Sequence, residues 1–205
     1  MTRTKLAASI SLLLLLTSLQ PASLASPSKQ PDATVGKKEN TSKLEAVDQL
    51  FMQTAAEDSA AEIKTATFVA LKTDNPKIRA ACQRMVRDHK KILSEIKSLD
   101  KKHQANLSYD LNPQHKALLD HLQATPVKDL SKDWVGDQIQ DHDSDINTVQ
   151  SQMDLGKAPD VKQFATRLMP TLAKHAEIWR KLAPEFAVKA AYGRSTDADI
   201  ARGAK

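Results

Sequence analysis

The chain has one cysteine, five glycines and few aromatic residues, with Phe, Trp and Tyr making up 4% of its 205 positions. Each scarcity excludes something. A lone cysteine, Cys82, permits no internal disulfide, and its place on an apolar helical stripe reads as a small core residue rather than a reactive thiol. Few glycines and aromatics argue against a β-sandwich, which needs turn glycines and aromatic or β-branched strands. Basic residues form no stripe interleaved with aromatics, so nucleic-acid binding has no support. There is no nucleophile elbow and no glycine-rich phosphate loop, which ranks an enzyme last among the functional readings.

What is present is length and helical patterning. The chain is long enough for one domain with a real core. A mean hydropathy of −0.46 and 27% charged residues describe a soluble protein. The amino terminus has a separate character. Arg3 and Lys5 precede an apolar run from Leu6 to Leu19, and Ser23-Leu24-Ala25 supplies small residues for cleavage before Ser26. This is the pattern of a secretory signal peptide. The run is shorter than the roughly 20 apolar residues that span a bilayer. The expected product is therefore exported, to the periplasm or beyond, with no transmembrane segment. Removing Arg3 and Lys5 leaves 28 of the 30 basic residues against 25 acidic ones, a net +3. Residues 26–43 are rich in Pro, Ser, Lys and Thr without a period, and read as a disordered linker.

Four long amphipathic helices are expected within residues 44–184, with 185–205 as a loose tail. The first runs from about Lys43 to Thr73, its stripe carrying Val47, Phe51, Ala55, Asp58, Glu62, Thr65 and Val69. Asp74-Asn75-Pro76 is a stop and restart, with Asn75 as cap and Pro76 at the first helical position. The second runs from Pro76 to His103, and its stripe of Ile78, Cys82, Met85, His89, Ile92, Ile96 and Leu99 follows a heptad seam. The third runs from about Leu130 to Leu155 with Val135, Ile139, His142, Ile146, Val149 and Met153 inward, and Gly156 ends it. The fourth opens at Pro159 with Val161, Ala165, Leu168, Leu172, His175, Trp179 and Leu182 inward, and Pro170 is expected to kink it. The long stretch from Asn106 to Lys128, with a short helix from Pro113, is a crossover rather than a hairpin turn. The expected fold is all-α: two helical hairpins joined by a crossover, a four-helix bundle. His115 and His121, six residues apart on the crossover, read as surface histidines.

Three histidines fall on apolar stripes. Counted from the turns at about 1.5 Å per residue, Glu62 and His89 are level, and so are His142 and His175 to within about a turn. One carboxylate and three imidazoles at the centre of a bundle form a candidate site for one transition-metal ion, and zinc, iron, copper or manganese would suit the donors. Asp58, one turn before Glu62, and Asp145, three residues after His142, are further candidates as ligands or as acceptors that orient a ring. The competing reading is a metal-free polar layer that sets helix register, in a structural or stress-related interaction module of the cell envelope. The stripe positions of Met85, Met153, Met169, Trp134 and Trp179 are core packing.

The same residues carry a resemblance. Ala60-Ala61-Glu62-Ile63, Met85-Val86-Arg87-Asp88-His89, Asp141-His142 and Leu168-Met169-Pro170-Thr171-Leu172 through His175 resemble, in order and spacing, the bacterial Domain of Unknown Function 4142 family. The likeness covers about Leu44 to Pro184. It implies a ferritin-like bundle in the cell envelope and no settled activity. Ferritin-like di-iron sites use Glu-x-x-His on two helices. Here Val86 precedes His89 and Leu172 precedes His175 at that spacing, so a single ion is the more economical expectation.

Overall fold

A computed structural model describes residues 43–188, and the expected signal peptide, nearly all of the linker and the end of the tail lie outside the described residues. The described chain is all-helical, with no strand. Its helices are α1 (Ala46–Lys72), α2 (Pro76–His103), α3 (Pro113–Ala124), α4 (Val127–Leu155) and α5 (Pro159–Leu182), followed by a 3-10 turn over Ala183–Phe186. Among the described residues, no helix is long and apolar enough to cross a membrane.

The helix boundaries follow local chemistry. Asn75 Oδ1 accepts from the backbone N–H groups of Lys77 and Ile78, at 2.9 and 3.2 Å, and Pro76 takes the first turn, where a missing N–H costs nothing. Asn112 Oδ1 caps α3 in the same way through His115 N at 2.9 Å. Gly156 ends α4, but its φ of −55° is ordinary, so no left-handed residue closes this helix. Glycine is needed there for closeness: a Cβ would lie 2.6 Å from the Gln152 carbonyl oxygen. Pro170 sits inside α5 on its exposed side, and the helix continues through it.

Paired side chains fix the helix directions. Thr73 meets Ser131, Glu62 meets Gln138 and Asp48 meets Gln152, so α1 and α4 run antiparallel. Lys77 meets Glu185, Asp88 meets His175, Glu95 meets Arg167 and His103 meets Asp160, so the α2 and α5 strip is antiparallel too. The hairpins α1–α2 and α4–α5 therefore associate with α2 and α4 parallel. The short helix α3 lies across the α1/α4 seam.

The apolar core comes in two parts. One holds Phe51, Met52, Ile92, Ile96, Ile146, Val149, Phe164 and Leu168. The other holds Val69, Ile78, Cys82, Met85, Trp134, Ile139 and Trp179. On α2 and α4 the sequence gap between the two parts is occupied by His89 and His142, and on α1 by Ser59 and Glu62. A buried polar layer separates them.

The stripes of α2, α4 and α5 are inward as expected, although Leu99, Met153 and Leu182 at the helix ends are only partly buried. Helix α1 departs from its expected stripe. Val47, Ala55 and Asp58 are half-buried, while Asp48, Met52, Ala56 and Ser59 are buried. This helix is covered by α2 on one side and by α3 and α4 on another, so it buries two faces where a single stripe was expected. The packed structure also reaches past residue 184: Phe186 and Val188 pack against the Trp134–Trp179 part of the core.

Asp48 ties the ends together. Fully buried on α1, it accepts from Gln152 Nε2 at 2.5 Å and from the backbone N–H groups of Lys157 and Ala158 at 3.0 and 2.9 Å. Asp48→Ala would orphan the buried Gln152 donor and two half-buried backbone N–H groups, and is expected to cost about 2–4 kcal/mol in urea unfolding, since each buried unpaired group costs about 1–3 kcal/mol. A loss below about 0.5 kcal/mol, the usual scale of a surface change, would contradict this role.

Candidate metal centre

Three helices each place one imidazole in the polar layer: His89 from α2, His142 from α4 and His175 from α5. Their exposures are 2%, 0% and 0%. Ring centroids are 6.2 Å apart for His89–His142, 5.5 Å for His89–His175 and 5.4 Å for His142–His175. Each ring offers one nitrogen, and these three atoms all lie within 4.8 Å of one another. Three buried histidines in this arrangement could hold a metal ion.

Hydrogen bonds determine which nitrogens are bare. His142 Nδ1 lies 3.0 Å from the Gln138 carbonyl oxygen one turn back on α4. A carbonyl only accepts, so Nδ1 carries the proton and Nε2 is left with a lone pair. His175 Nε2 lies 3.1 Å from Asp88 Oδ2, so it carries the proton and Nδ1 is bare. His142 Nε2 and His175 Nδ1 have no hydrogen-bond partner among the described residues, and neither nitrogen of His89 has one. A neutral imidazole has one bare nitrogen, so each ring brings a lone pair that no protein donor satisfies.

The electrostatics agree. Burial, then the neighbouring His175, pushes His142 down to about 3. Burial, then His175 and His142, holds His89 well below the usual histidine range. Burial also lowers His175, against the pull of Asp88. For Asp88 itself burial acts upward, but the His175 hydrogen bond and charge, with Arg84 and Lys91, leave it below the usual carboxylate range. The rings are neutral bases at neutral pH, the form that ligates a metal.

The other sequence-predicted residues sit elsewhere in the layer. Glu62 is 3% exposed and accepts from Gln138 Nε2 at 2.7 Å. It faces Asp141, and Asp58 faces Asp145. These four carboxyl groups line the α1/α4 seam and are not among the converging ring nitrogens. Burial, then like-charged neighbours, holds Glu62 and Asp145 well above the carboxylate range, and burial with Asp58 pushes Asp141 up to about 6. A cavity of about 20 Å³, room for about one water, touches both groups, with Asp58, Asp145, His89 and Leu172 in its wall.

Several roles were not expected from the sequence. The ring-orienting acceptors are Asp88 and the Gln138 carbonyl rather than Asp58 and Asp145. Asp88 had a signal, lying beside His89 at the level of His175, but residue spacing does not tell which way an exposed-edge carboxylate turns. His115, expected at the surface, has a side chain only 13% exposed, with Nε2 3.2 Å from Asp58 Oδ1, because α3 lies over the seam. His121 is exposed as expected, at 60%. Cys82 is buried, and burial with the nearby Glu62 pushes its thiol up to about 12, so it stays protonated.

The lowered histidines set a pH dependence. A group depressed in the folded state contributes stability above its unfolded value, here 6.5, and loses it as pH falls toward the folded value, about 3 for His142. In chelator-treated protein, the stability difference between wild type and His142→Gln is expected to be largest above pH 6.5 and to shrink steadily toward pH 3. Urea unfolding across that range checks it, and a difference independent of pH would contradict it.

No curated protein and no solved structure matches the chain. Residues 33–182 match the family described as Domain of unknown function (DUF4142). That span includes all three converging histidines together with Asp88 and Gln138, and the chain belongs to this family.

Proposed function

We propose that this protein is an exported metal-binding protein that holds one transition-metal ion on His89, His142 and His175, within a ferritin-like four-helix bundle whose crossover is α3. The observation that carries the reading is the convergence of three buried ring nitrogens, one from each histidine, within 4.8 Å of one another, in rings that each keep at least one nitrogen without a hydrogen-bond partner. Lone pairs on rings packed this closely repel unless a cation bridges them. A tetrahedral ion with bonds of about 2.0–2.1 Å wants its nitrogens roughly 3.4 Å apart, which lies inside the 4.8 Å bound. The Asp88–His175 and Gln138–His142 hydrogen bonds are the outer contacts that fix ligand tautomers in metal sites. An all-imidazole set favours zinc, copper or iron over manganese, which prefers oxygen.

The signal-like amino terminus supports export. Enclosure of the rings supports binding and retention of an ion, as in sequestration or sensing, over turnover of a substrate. The bundle reading rests on the antiparallel α1/α4 and α2/α5 pairings and on α3 bridging two hairpins. It differs from a di-iron centre at Val86 and Leu172, where the carboxylates of Glu-x-x-His would stand.

Metal analysis of untagged protein tests the reading. Wild type is expected to retain one equivalent of zinc, copper or iron, His142→Gln to retain none, and Asp88→Asn to bind about 10–100-fold more weakly, the usual effect of losing an outer-shell partner. Equal and negligible metal content in wild type and His142→Gln would refute it.

A further inference from the structure

The charges of this protein are sorted by helix. On α2 nine basic residues stand against three acidic ones, and on α5 five against two, a net of +9 for the pair. On α1, α3 and α4 together five basic residues stand against twelve acidic ones, a net of −7. All nine basic residues of α2 are exposed, as are Arg167, Lys174 and Lys181 on α5. The antiparallel pairing sets α2 and α5 side by side, so the surplus forms one face, about 42 Å long over the 28 residues of α2. Glu95 pairs with Arg167, and Glu177 with Lys174 and Lys181, while Arg87, Lys90 and Lys101 make no ion pair among the described residues.

The composition of this face narrows its partner. Helix α2 has no Phe, Trp or Tyr, and Phe164 and Trp179 of α5 are buried, so no ring is offered for a nucleic-acid base to stack on. The large apolar residues that are exposed among the described residues, Leu50, Leu71, Val127 and Leu155, all stand on α1 or α4. A protein partner would want such anchors at the centre of its contact. The α2/α5 face offers instead a long array of guanidinium and ammonium groups. Four of them, Arg84, Lys91, Arg167 and Lys174, border a groove of about 510 Å³ between the helices, against Asp88 and Glu95. A cleft lined mainly by one sign of charge focuses the field.

We propose that the outer faces of α2 and α5 dock on an anionic phospholipid bilayer, with the acidic side of α1, α3 and α4 turned away from it. A bilayer surface is a plane of phosphate groups, and it is complementary to a long basic face without needing stacking rings or apolar anchors. Each basic side chain at such a surface is worth roughly fivefold in partitioning. The opposed acidic side is repelled, so the charge distribution orients the molecule as well as attracting it. The contact is peripheral, because no apolar side chain on this face inserts, and it weakens as salt shortens the reach of the charges. It does not depend on occupancy of the histidines.

Co-sedimentation of the full chain with two kinds of vesicle tests this: phosphatidylcholine alone, and phosphatidylcholine mixed in equal parts with phosphatidylglycerol. Wild type is expected to sediment with the mixed vesicles at low salt, to stay in solution with phosphatidylcholine alone, and to be released by salt. Arg87→Gln/Lys101→Gln removes two exposed charges from the face and is expected to weaken binding at least about tenfold. Lys128→Gln/Lys132→Gln removes the same charge from α4 and is expected to bind as wild type does. All four positions are exposed, and circular dichroism confirms that both variants fold. The amino terminus is the same in every arm, so the contrast between the two variants reads the helical face alone. The proposal is overturned if wild type ignores the mixed vesicles, binds both kinds equally, or stays bound in high salt. It is also overturned if the two variants weaken binding alike, which would make net charge rather than this face the cause. Tighter binding to duplex DNA than to the mixed vesicles would overturn it in favour of nucleic acid.

Discussion

Three buried neutral imidazoles, each bringing one nitrogen to a common point and each keeping a bare nitrogen, are the constraint around which this structure is arranged. Burying a polar group without a partner costs free energy, and here two of the three ring N–H donors are spent outward, on the Gln138 carbonyl and on Asp88. What remains inside is one bare nitrogen on each ring and the unpartnered His89 N–H, between two apolar half-cores. The helices must hold that cluster at one level, because a slip of one turn, about 5.4 Å, would separate the rings. The pairs Thr73–Ser131, Glu62–Gln138 and Asp48–Gln152 along α1/α4, with Asp88–His175 and His103–Asp160 along α2/α5, prevent such a slip.

The layer has two chemically different sides. Toward α2 and α5 it presents nitrogen bases that burial keeps unprotonated. Toward α1, α3 and α4 it presents carboxyl groups whose protons burial and like-charged neighbours help retain. On α4 the sides meet within a single helical stretch, since Asp141, His142 and Asp145 point to different neighbours. Membership of the DUF4142 family covers the whole of this layer, yet the family description carries no activity. Support for metal binding therefore comes from the donor chemistry and geometry of the three rings.

Much of the architecture was legible because helical periodicity reports which face of a helix a residue occupies, and residue counting reports its height along the axis. The heptad seam of α2 from Ile78 to Ile96 is buried residue for residue, and counting from Asn75 and Gly156 puts His89, His142 and His175 at one height. Periodicity does not report which neighbour a residue faces. Glu62 is buried at the expected level, but it turns to Gln138 and Asp141 rather than to the rings. The second buried face of α1, with Asp48, Met52 and Ser59, was hidden because small and polar residues there break the apolar signal. His115 was misplaced at the surface for a similar reason: a short amphipathic helix gives no sign that it will lie over another seam.

The most direct test is nitrogen NMR of the six histidine rings in chelator-treated protein, before and after one equivalent of zinc. The account predicts neutral rings at pH 7 for His89, His142 and His175, with the proton on Nδ1 of His142 and on Nε2 of His175. It also predicts that zinc shifts the bare nitrogens of these three rings alone. Charged rings, the opposite tautomers, or zinc shifts confined to His103, His115 and His121 would contradict it.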